Sequence, residues 1–459
     1  MTEGDGRELA VGVDIGTTET KALVIDTADG GQAGFARRPT AWTRAAGGGA
    51  ETSADSLFDG VLDALTAALD QAVNAGARVV GIGLTGLAES GVVLDPAGRA
   101  RTPVIAWYDQ RGAREVAELG DRDPEFAAAF PGRVGLPLDA QCTLAKLLWL
   151  RRAGADIPPG SRWLNVPEYV AHALGADRVT EPSLAARTGL VDAATGQPWP
   201  AALDQVGVGP EFLPPMLPAG RPAGRVTVRD APAALRGAAV TVTGHDHPVA
   251  AVGAGATEPN TLFNSTGTAD VLLRSVPRPL STDERARLVA AGYSAGAHVL
   301  PGYTALIGSV RAGLVLGRVL DLLGRADLAA RQALDGRWRP GPAPTGVTVT
   351  GARQSDAEVT IRITEGASPD AAWAAALEHV GEVTSALLDS AERVVGAHRD
   401  AVAAGGWVRL ASVRASKSQL IPRLRFAEIE QPGAYGAALF ARSAGAGQPE
   451  PFHKEATTW

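Results

Sequence analysis

The sequence has one cysteine, Cys142, among its 459 residues. A lone thiol excludes an intramolecular disulfide and any cysteine-built zinc site, and a large chain without disulfides fits a reducing compartment. Cys142 precedes the apolar run Leu144 to Leu150, which predicts a core position rather than a nucleophile. No uninterrupted apolar stretch is long enough to span a bilayer. Met1 to Glu8 is acidic and polar and does not read as a signal peptide. The expectation is a cytoplasmic protein without membrane contact. Excess positive charge is also missing, since the formal net charge is −7. That balance speaks against nucleic acid as a partner, because phosphates call for concentrated basic surface. The local pairs Arg111 with Arg114 and Arg151 with Arg152 read as solvated surface.

What is present is an ordinary globular composition. Hydrophobic residues make up 45% and charged residues 20%, which argues against disorder or a fibre. The length exceeds the roughly 250–300 residues at which one core stops growing, so two domains are expected.

The first segment reads as a β-meander. Leu9 to Val13, Lys21 to Asp26 and Gly34 to Arg38 are strand-like and separated by turn residues. Leu57, Val61, Leu62, Leu65 and Leu69 recur at helical spacing, with Thr52 or Ser53 as cap and Gly76 as stop. Val79 to Thr85 is apolar without alternation, as a strand buried on both faces would be. Leu144 to Arg152 predicts a helix. From Pro158 to Pro222 the many prolines predict a connector with little regular structure.

The pattern then begins again. Ala238 to Thr243 is a strand ending in Gly244-His245-Asp246, and a helix-like Ala/Gly segment follows through Ala256. Leu262 to Asn264 leads into Ser265-Thr266-Gly267-Thr268 and a further strand. Strand, Gly-Thr turn, strand thus occurs twice, as a duplicated domain would leave it. The boundary is expected near residue 245, giving domains 1–245 and 246–459. Two strands, 346–350 and 358–364, a helix over Asp370 to Val395 and one over Gly433 to Ala441 complete the second half. The stretch from Gly445 reads as a frayed tail.

Several of these turns carry chemistry. In Asp14-Ile15-Gly16-Thr17-Thr18, glycine lets backbone approach an anion, and the threonines can donate to phosphate oxygens. Asp14 at the strand end can hold Mg²⁺ through waters. A hairpin turn with solvated threonines has the same pattern, and Lys21 suits either a phosphate or the surface. Gly267-Thr268 offers a second cradle of the same kind. Asp246 is a candidate base for a hydroxyl nucleophile, or a solvated turn aspartate. His245 and His247 flank it. Gly405-Gly406 leaves room for a flat purine, though the chain holds 55 glycines and turns need them too.

Taken in order, Asp14 to Thr18, Trp107-Tyr108-Asp109-Gln110-Arg111, Lys146-Leu147-Leu148-Trp149-Leu150, Gly244-His245-Asp246, Gly267-Thr268 and Gly405-Gly406 resemble the FGGY carbohydrate kinases. The likeness runs from about residue 9 to residue 443. It implies an α/β fold of two ribonuclease-H-like, actin-like ATPase domains with a cleft between them. It implies ATP-dependent phosphorylation of a hydroxyl of a small sugar, sugar acid or polyol, with Asp246 as base and Asp14 near Mg²⁺. Gly16, Thr17, Thr18, Lys21, Gly267 and Thr268 would surround the phosphates of ATP, and Gly405 and Gly406 would lie near adenosine. Leu87, Ala88 and Glu89 with Ser90, and Trp107, Asp109 and Arg111, would line the sugar side together with Asp246.

The chain departs from the family pattern at three places. Leu87-Ala88-Glu89-Ser90 stands where xylulokinases usually read Gln-Met-His-Gly. Glu89 corresponds to the glutamate of the Gln-Arg-Glu segment in glycerol kinases, but their arginine is Ala88 here. Thr180 to Leu190 is loosely closer to pentulose and gluconate kinases, which are favoured as substrate types. The third glycine of the adenosine motif is Trp407, and the segment 340–366 lacks the usual Gly-Glu-Arg-x-Pro. A catalytically silent sugar- or nucleotide-sensing protein on the same fold is the alternative reading. A homodimer is compatible with the sequence, which carries no trace of oligomeric state.

Overall fold

The computed structural model describes residues 6–45, 48–73, 77–325, 327–341, 346–356, 358–364 and 367–447. Two six-stranded sheets organise them. In the first, Glu8–Ile15, Glu19–Asp26 and Gln32–Pro39 form an antiparallel meander. Arg78–Gly86 pairs parallel to Glu8–Ile15, and Ala239–His245 pairs parallel to Arg78–Gly86. The second sheet repeats the plan. Leu262–Thr266 is antiparallel to Asp270–Val276, which is antiparallel to Thr304–Val310. Ala401–Gly405 lies parallel to Leu262–Thr266, and Leu424–Phe426 parallel to Ala401–Gly405. Counting the five strands named in each half, the order across the sheet is third, second, first, fourth, fifth, with Gly224–Arg225 added at the far edge of the first sheet and Tyr293–Ala297, which precedes Thr304–Val310 in the chain, added beside Thr304–Val310 at the edge of the second. This is the plan expected of a ribonuclease-H-like pair.

The helix Ala54–Ala72 buries Leu57, Val61, Leu65 and Leu69 and is capped by Ser53, whose side chain accepts from Ser56 N. Gly76, expected to stop it, lies outside the described residues. Thr143–Arg152 and Pro369–Val395 are helical as their sequences predict. Val347–Thr350 and Thr360–Ile363 are strands, as expected there, and pair antiparallel.

The region 158–222 departs from the expectation of an unstructured connector. It contains the strand Arg162–Asn165 and the helices Val166–Ala173, Pro182–Ala185 and Pro200–Val206. Each of these helices has a proline in its first two positions. Proline there costs nothing, because the missing N–H is one that a helix start leaves unpaired. The prolines begin helices instead of preventing them.

Two helices exchange places between the halves. Asp246–Gly253 continues from the last strand of the first sheet, yet its Ala250, Ala251 and Ala254 face cluster with Phe263, Leu273 and Val402 of the second. Conversely, Pro432–Gly445, at the end of the chain, packs Ala434, Ala438 and Ala441 against Ala10, Leu23 and Ile25 of the first sheet. Glycine makes that contact close. A Cβ at Gly12 would fall 1.9 Å from Ala434 O. The two helices also touch each other backbone to backbone, since a Cβ on Gly436 would lie 2.2 Å from Val249 O.

Candidate active site

These crossing helices position two carboxylates. Asp246 opens Asp246–Gly253, where the helix dipole favours a negative charge. Asp14 lies near the end of Glu8–Ile15, beside the start of Pro432–Gly445. A Cβ at Gly433 would lie 2.6 Å from Asp14 Oδ2, so only glycine leaves room for that carboxylate.

The strand Ala239–His245, which leads into Asp246, is held from behind. Ser183 Oγ accepts His245 N at 2.9 Å, and Thr85 Oγ1 donates to Gly244 O at 2.7 Å. Gly244 has φ 109°, and a Cβ there would strike Val299, Ser183 and Glu181. A side chain fits this position neither in space nor in backbone conformation. Glu181 in turn accepts from Ser183 N at 2.7 Å and also pairs with Ser183 Oγ. Glu168 accepts from Thr180 Oγ1 and from Glu181 N. Burial pushes the carboxyl of Glu168 up to about 7 and that of Glu181 up to about 8, despite these donors.

His245 Nε2 stands 3.1 Å and His247 Nε2 3.8 Å from Asp246 Oδ1. Burial acts to raise the Asp246 carboxyl, but the charges of His247 and His245 outweigh it and hold the group well below the usual carboxylate range. Neither approach gives Oδ1 a hydrogen bond, so this buried oxygen has no donor among the described residues. Asp14 behaves in the opposite way. Burial pushes it up to about 6, Lys21 opposes that, and the Asp246 charge adds to it. No described residue donates a hydrogen bond to the Asp14 carboxylate. A divalent cation suits this oxygen, which is undersupplied with positive charge.

The residues expected to cradle phosphate lie at the tips of the two hairpins. Gly16 N donates to Glu19 O at 3.1 Å, closing the hairpin, and Lys21 is the cross-strand partner of Asp14. Thr17 Oγ1 accepts Trp107 Nε1 at 2.8 Å, while Thr17 O accepts Trp42 Nε1 at 2.6 Å. Thr18 is exposed. Across the molecule Gly267 and Thr268 are exposed at the tip of the second hairpin. Thr266 and Gly405 are register partners, so the second cradle and the Gly405-Gly406 motif are adjacent. Gly405 has φ 119°, and a Cβ on it would lie 2.3 Å from Thr266 O. Around Gly406 nothing lies within 4 Å of a would-be Cβ.

The residues expected to line a sugar divide. Leu87 and Ala88 are buried in the core of the first half. Glu89 is buried with φ 56°, a left-handed conformation uncommon outside glycine. Trp107 links Thr17 to Lys146, whose Nζ donates to Trp107 O at 2.9 Å. Asp109 and Arg111 spend their capacity on one another and on Glu51 and Ala50 N. Arg111 also stacks over Trp149, 4.9 Å from the ring centre. It is thus not the solvated arginine that its neighbourhood suggests, whereas Arg114 pairs with Glu118 on the surface. Cys142 is buried and its thiol is pushed up to about 12 by burial, so it is no nucleophile.

Three participants escaped the sequence reading. Arg187 pairs with Glu89. Lys417 Nζ donates to Asn264 Oδ1 at 2.7 Å and also pairs with Asp270, locking the second hairpin. Gly313 lets the helix Ala312–Leu322 seat on the tip of the second hairpin, since a Cβ there would lie 2.1 Å from Gly267 O and 2.8 Å from Trp407 Nε1. Arg187 and Lys417 meet their partners only through tertiary contact, and local pattern gives no signal for that. Gly313, within an apolar helical run, was legible only as a helix residue.

A sequence model described as the FGGY family of carbohydrate kinases, N-terminal domain, matches residues 9–253. The chain belongs to this family. A xylulose kinase of Streptomyces rubiginosus is 31% identical over 276 residues, covering 59% of this chain and 54% of that protein. The chain spans about half the length of the first curated relatives it matches. A glycerol kinase of Alkalilimnicola ehrlichii is 27% identical over 97% of this FGGY chain and 92% of its own length. Among solved structures, a xylulose kinase from Rhodospirillum rubrum superposes with a TM-score of 0.81 at 25% identity, covering 97% of this chain and 91% of that one. No helix among the described residues of this FGGY protein is long and apolar enough to cross a membrane.

Proposed function

We propose that this FGGY protein transfers the γ-phosphoryl group of ATP to a hydroxyl of a small sugar, sugar acid or polyol, pentulose- and gluconate-like compounds being the favoured types. The observation that carries this reading is the Asp246 carboxylate. It is ionised, it opens a helix, and its buried Oδ1 has no hydrogen-bond donor among the described residues. A substrate hydroxyl would supply that donor. As the oxygen attacks phosphorus, its proton passes to Asp246, and such general-base assistance contributes roughly 10²–10⁴-fold. The xylulose and glycerol kinase relatives support the same chemistry.

Residues 1–245 and 246–459 would act as two bodies, joined by the exchanged helices. Thr17, Thr18 and Lys21 on one body and Gly267 and Thr268 on the other would grip the phosphates, with Gly405 and Gly406 beside adenosine. Their approach would exclude water, which otherwise competes with the sugar for ATP. Asp14 would hold Mg²⁺ through water, and the ion would supply charge neutralisation at the β- and γ-phosphates. Glu89 with Trp107, Asp109 and Arg111 would shape the sugar side.

The test is ADP release with Mg-ATP across pentuloses, hexuloses, aldonates, polyols and glycerol, with Asp246→Asn beside the wild type. Turnover of one class, reduced at least about 100-fold in the variant with ATP binding retained, is the expected result. A variant within a few-fold of wild type removes Asp246 from the role of base. ATP bound but never turned over supports the sensing alternative.

A further inference from the structure

A cavity of about 160 Å³ is lined by none of the residues assigned above to phosphate, adenosine or sugar. Its walls come from both sides of Asp246 in the chain. Pro182, Ala186 and Met216 stand on one wall, and Leu280, Ala295 and Tyr303 on the other. This lining is mostly apolar. Among the described residues that form it, Arg285 alone carries a charge. Arg285 is 2% exposed and belongs to the helix Thr282–Ala290.

No carboxylate among the described residues pairs with this guanidinium. Nε donates to Gly132 O at 2.7 Å, Nη1 to Leu280 O, and Nη2 to Thr282 Oγ1 at 3.3 Å. Gly132 lies in the last turn of Pro124–Val134, so the guanidinium faces the negative end of that helix. A helix end offers about half a charge and leaves the rest unmatched. Asp192 and Glu284 are near enough to act on Arg285, but Asp192 pairs with Arg133 and Glu284 with Arg278. Burial lowers Arg285 from the ordinary guanidinium value, Asp192 and Glu284 oppose that, and Arg133 adds to it. A guanidinium nevertheless stays protonated in proteins. This corner thus has two matched ion pairs and one surplus buried cation. Three of the five N–H groups have partners, which leaves one on each Nη nitrogen.

Two free N–H groups on one guanidinium suit the two oxygens of a carboxylate. One cation neutralises one negative charge. A phosphate monoester would bring close to two, and apolar walls offer nothing to match the excess. The remainder of the ligand must therefore be aliphatic. An apolar cavity of about 150 Å³ takes one benzene ring, so roughly six or seven non-hydrogen atoms fit here.

The cavity borders contacts that join the two halves. Ala295 N donates to Gly135 O at 2.8 Å, and a Cβ at Gly135 would fall 1.8 Å from Ala295 O. Arg285 makes a second such link through Gly132 O. On the opposite wall Pro182 and Ala186 flank Ser183, whose Oγ accepts His245 N next to Asp246. A ligand in this cavity touches both sides at once. Its contacts are complete in one relative position of the halves, and motion away from that position loses some of them.

We propose that this cavity is a regulatory site for a short aliphatic monocarboxylate, gripped by Arg285, which slows turnover by holding the two halves in one arrangement. The site is separate from the substrate and nucleotide positions proposed above, and only its effect on rate depends on the kinase reading.

Butyrate serves as the probe, with butyramide as its uncharged counterpart and inorganic phosphate as the anion of higher charge. Calorimetry on the full chain near neutral pH measures binding, and kcat is taken at saturating Mg-ATP and sugar with and without butyrate. The variants are Arg285→Gln and Ala193→Leu, with Tm recorded for each. Ala193 is a half-buried wall residue, and leucine there fills the cavity while Arg285 keeps its three contacts. That variant covers the case in which loss of Arg285 prevents folding. Wild type is expected to bind butyrate with a Kd of about 1 mM or tighter, which roughly six non-hydrogen atoms allow. Butyramide with wild type, and butyrate with Arg285→Gln, should each bind about tenfold more weakly or worse, as when a charge-assisted hydrogen bond is lost. Ala193→Leu should lose butyrate binding by a similar factor. Saturating butyrate should lower kcat of wild type by about fivefold or more, the lower end of usual couplings between sites. The same addition should leave the rate of Ala193→Leu as it was.

No binding of butyrate by wild type up to about 20 mM overturns the site. Butyramide or phosphate binding as tightly as butyrate overturns it too, as does a folded Arg285→Gln or Ala193→Leu with wild-type affinity. Binding that leaves kcat unchanged, or raises it, overturns the regulatory role. A wild type that turns over no sugar overturns the kinase reading instead, and calorimetry still decides the cavity.

Discussion

Trp107 Nε1 donates to Thr17 Oγ1 across 2.8 Å, which ties the turn proposed to hold phosphate to the segment proposed to line the sugar side. The same threonine is held through its carbonyl by Trp42 Nε1. Thr17 is therefore oriented from two sides before any ligand arrives. Its hydroxyl proton remains to be donated, since the oxygen uses only a lone pair on Trp107. Preorganised donors of this kind need no rearrangement when charge develops on a transferring phosphoryl group.

Thr17→Val tests the arrangement. The substitution keeps shape and removes the hydroxyl, leaving the Trp107 indole N–H without its acceptor. An unsatisfied half-buried donor costs about 1–3 kcal/mol. We expect kcat/KM for ATP to fall by about tenfold or more and Tm to drop modestly. Steady-state kinetics with unchanged kcat/KM would show that the hydroxyl faces no phosphate.

Gly405 and Gly406 make a matched pair of controls. At Gly405 the backbone is left-handed and a Cβ would meet Thr266 O at 2.3 Å, whereas nothing crowds Gly406. Gly405→Ala is expected to destabilise the protein by about 1–3 kcal/mol through strain and displacement of the second cradle. Gly406→Ala should fold as wild type does. If adenosine lies against this motif, Gly406→Ala weakens ATP binding while leaving Tm unaltered. Thermal denaturation with and without ATP distinguishes the two positions.

Asp14 carries the metal expectation. Asp14→Asn preserves size but removes the charge that a hard cation needs. The Mg²⁺ concentration for half-maximal rate is expected to rise by about tenfold or more, as when a carboxylate ligand is lost. Titration of the rate with Mg²⁺ at saturating ATP measures this. An unchanged Mg²⁺ requirement would take Asp14 out of the metal site.

Much of this architecture was legible because local chemistry and global role coincide. Asp14 to Thr18, Gly267-Thr268 and Gly405-Gly406 lie at strand ends and turns, where glycine has a conformational reason to stand, and the proposed phosphate and adenosine contacts would add a second. The duplicated sheet plan followed from repeated strand, turn, strand patterns. Helix positions in 158–222 were missed because proline was weighed as a breaker, although Pro167, Pro182 and Pro200 stand at helix starts where it is favourable. The exchange of Asp246–Gly253 and Pro432–Gly445 between sheets was not legible, since an Ala-rich face does not say which sheet it meets. Arg187 and Glu89 are 98 residues apart, and no periodicity links them.

The buried carboxylates behind the strand Ala239–His245 give a pH prediction. Glu181 has an ordinary value of 4.5 and is pushed up to about 8 in the folded protein, chiefly by burial. Between those values the folded state keeps a proton that the unfolded state has lost. Stability therefore falls as pH rises through this window and levels off above the folded value. Glu168, raised to about 7, adds the same sign over a narrower range. Glu181→Gln carries no proton to lose, so its stability should decline less steeply between pH 5 and pH 8 (about the window named) than that of wild type. Urea denaturation midpoints across that range measure the two slopes. The variant should also keep at least part of the Ser183 contact that holds His245 N, so ATP binding near pH 7 should persist. Parallel slopes for variant and wild type would mean that Glu181 is ionised in the folded protein, with its charge carried by the Ser183 and Leu184 donors.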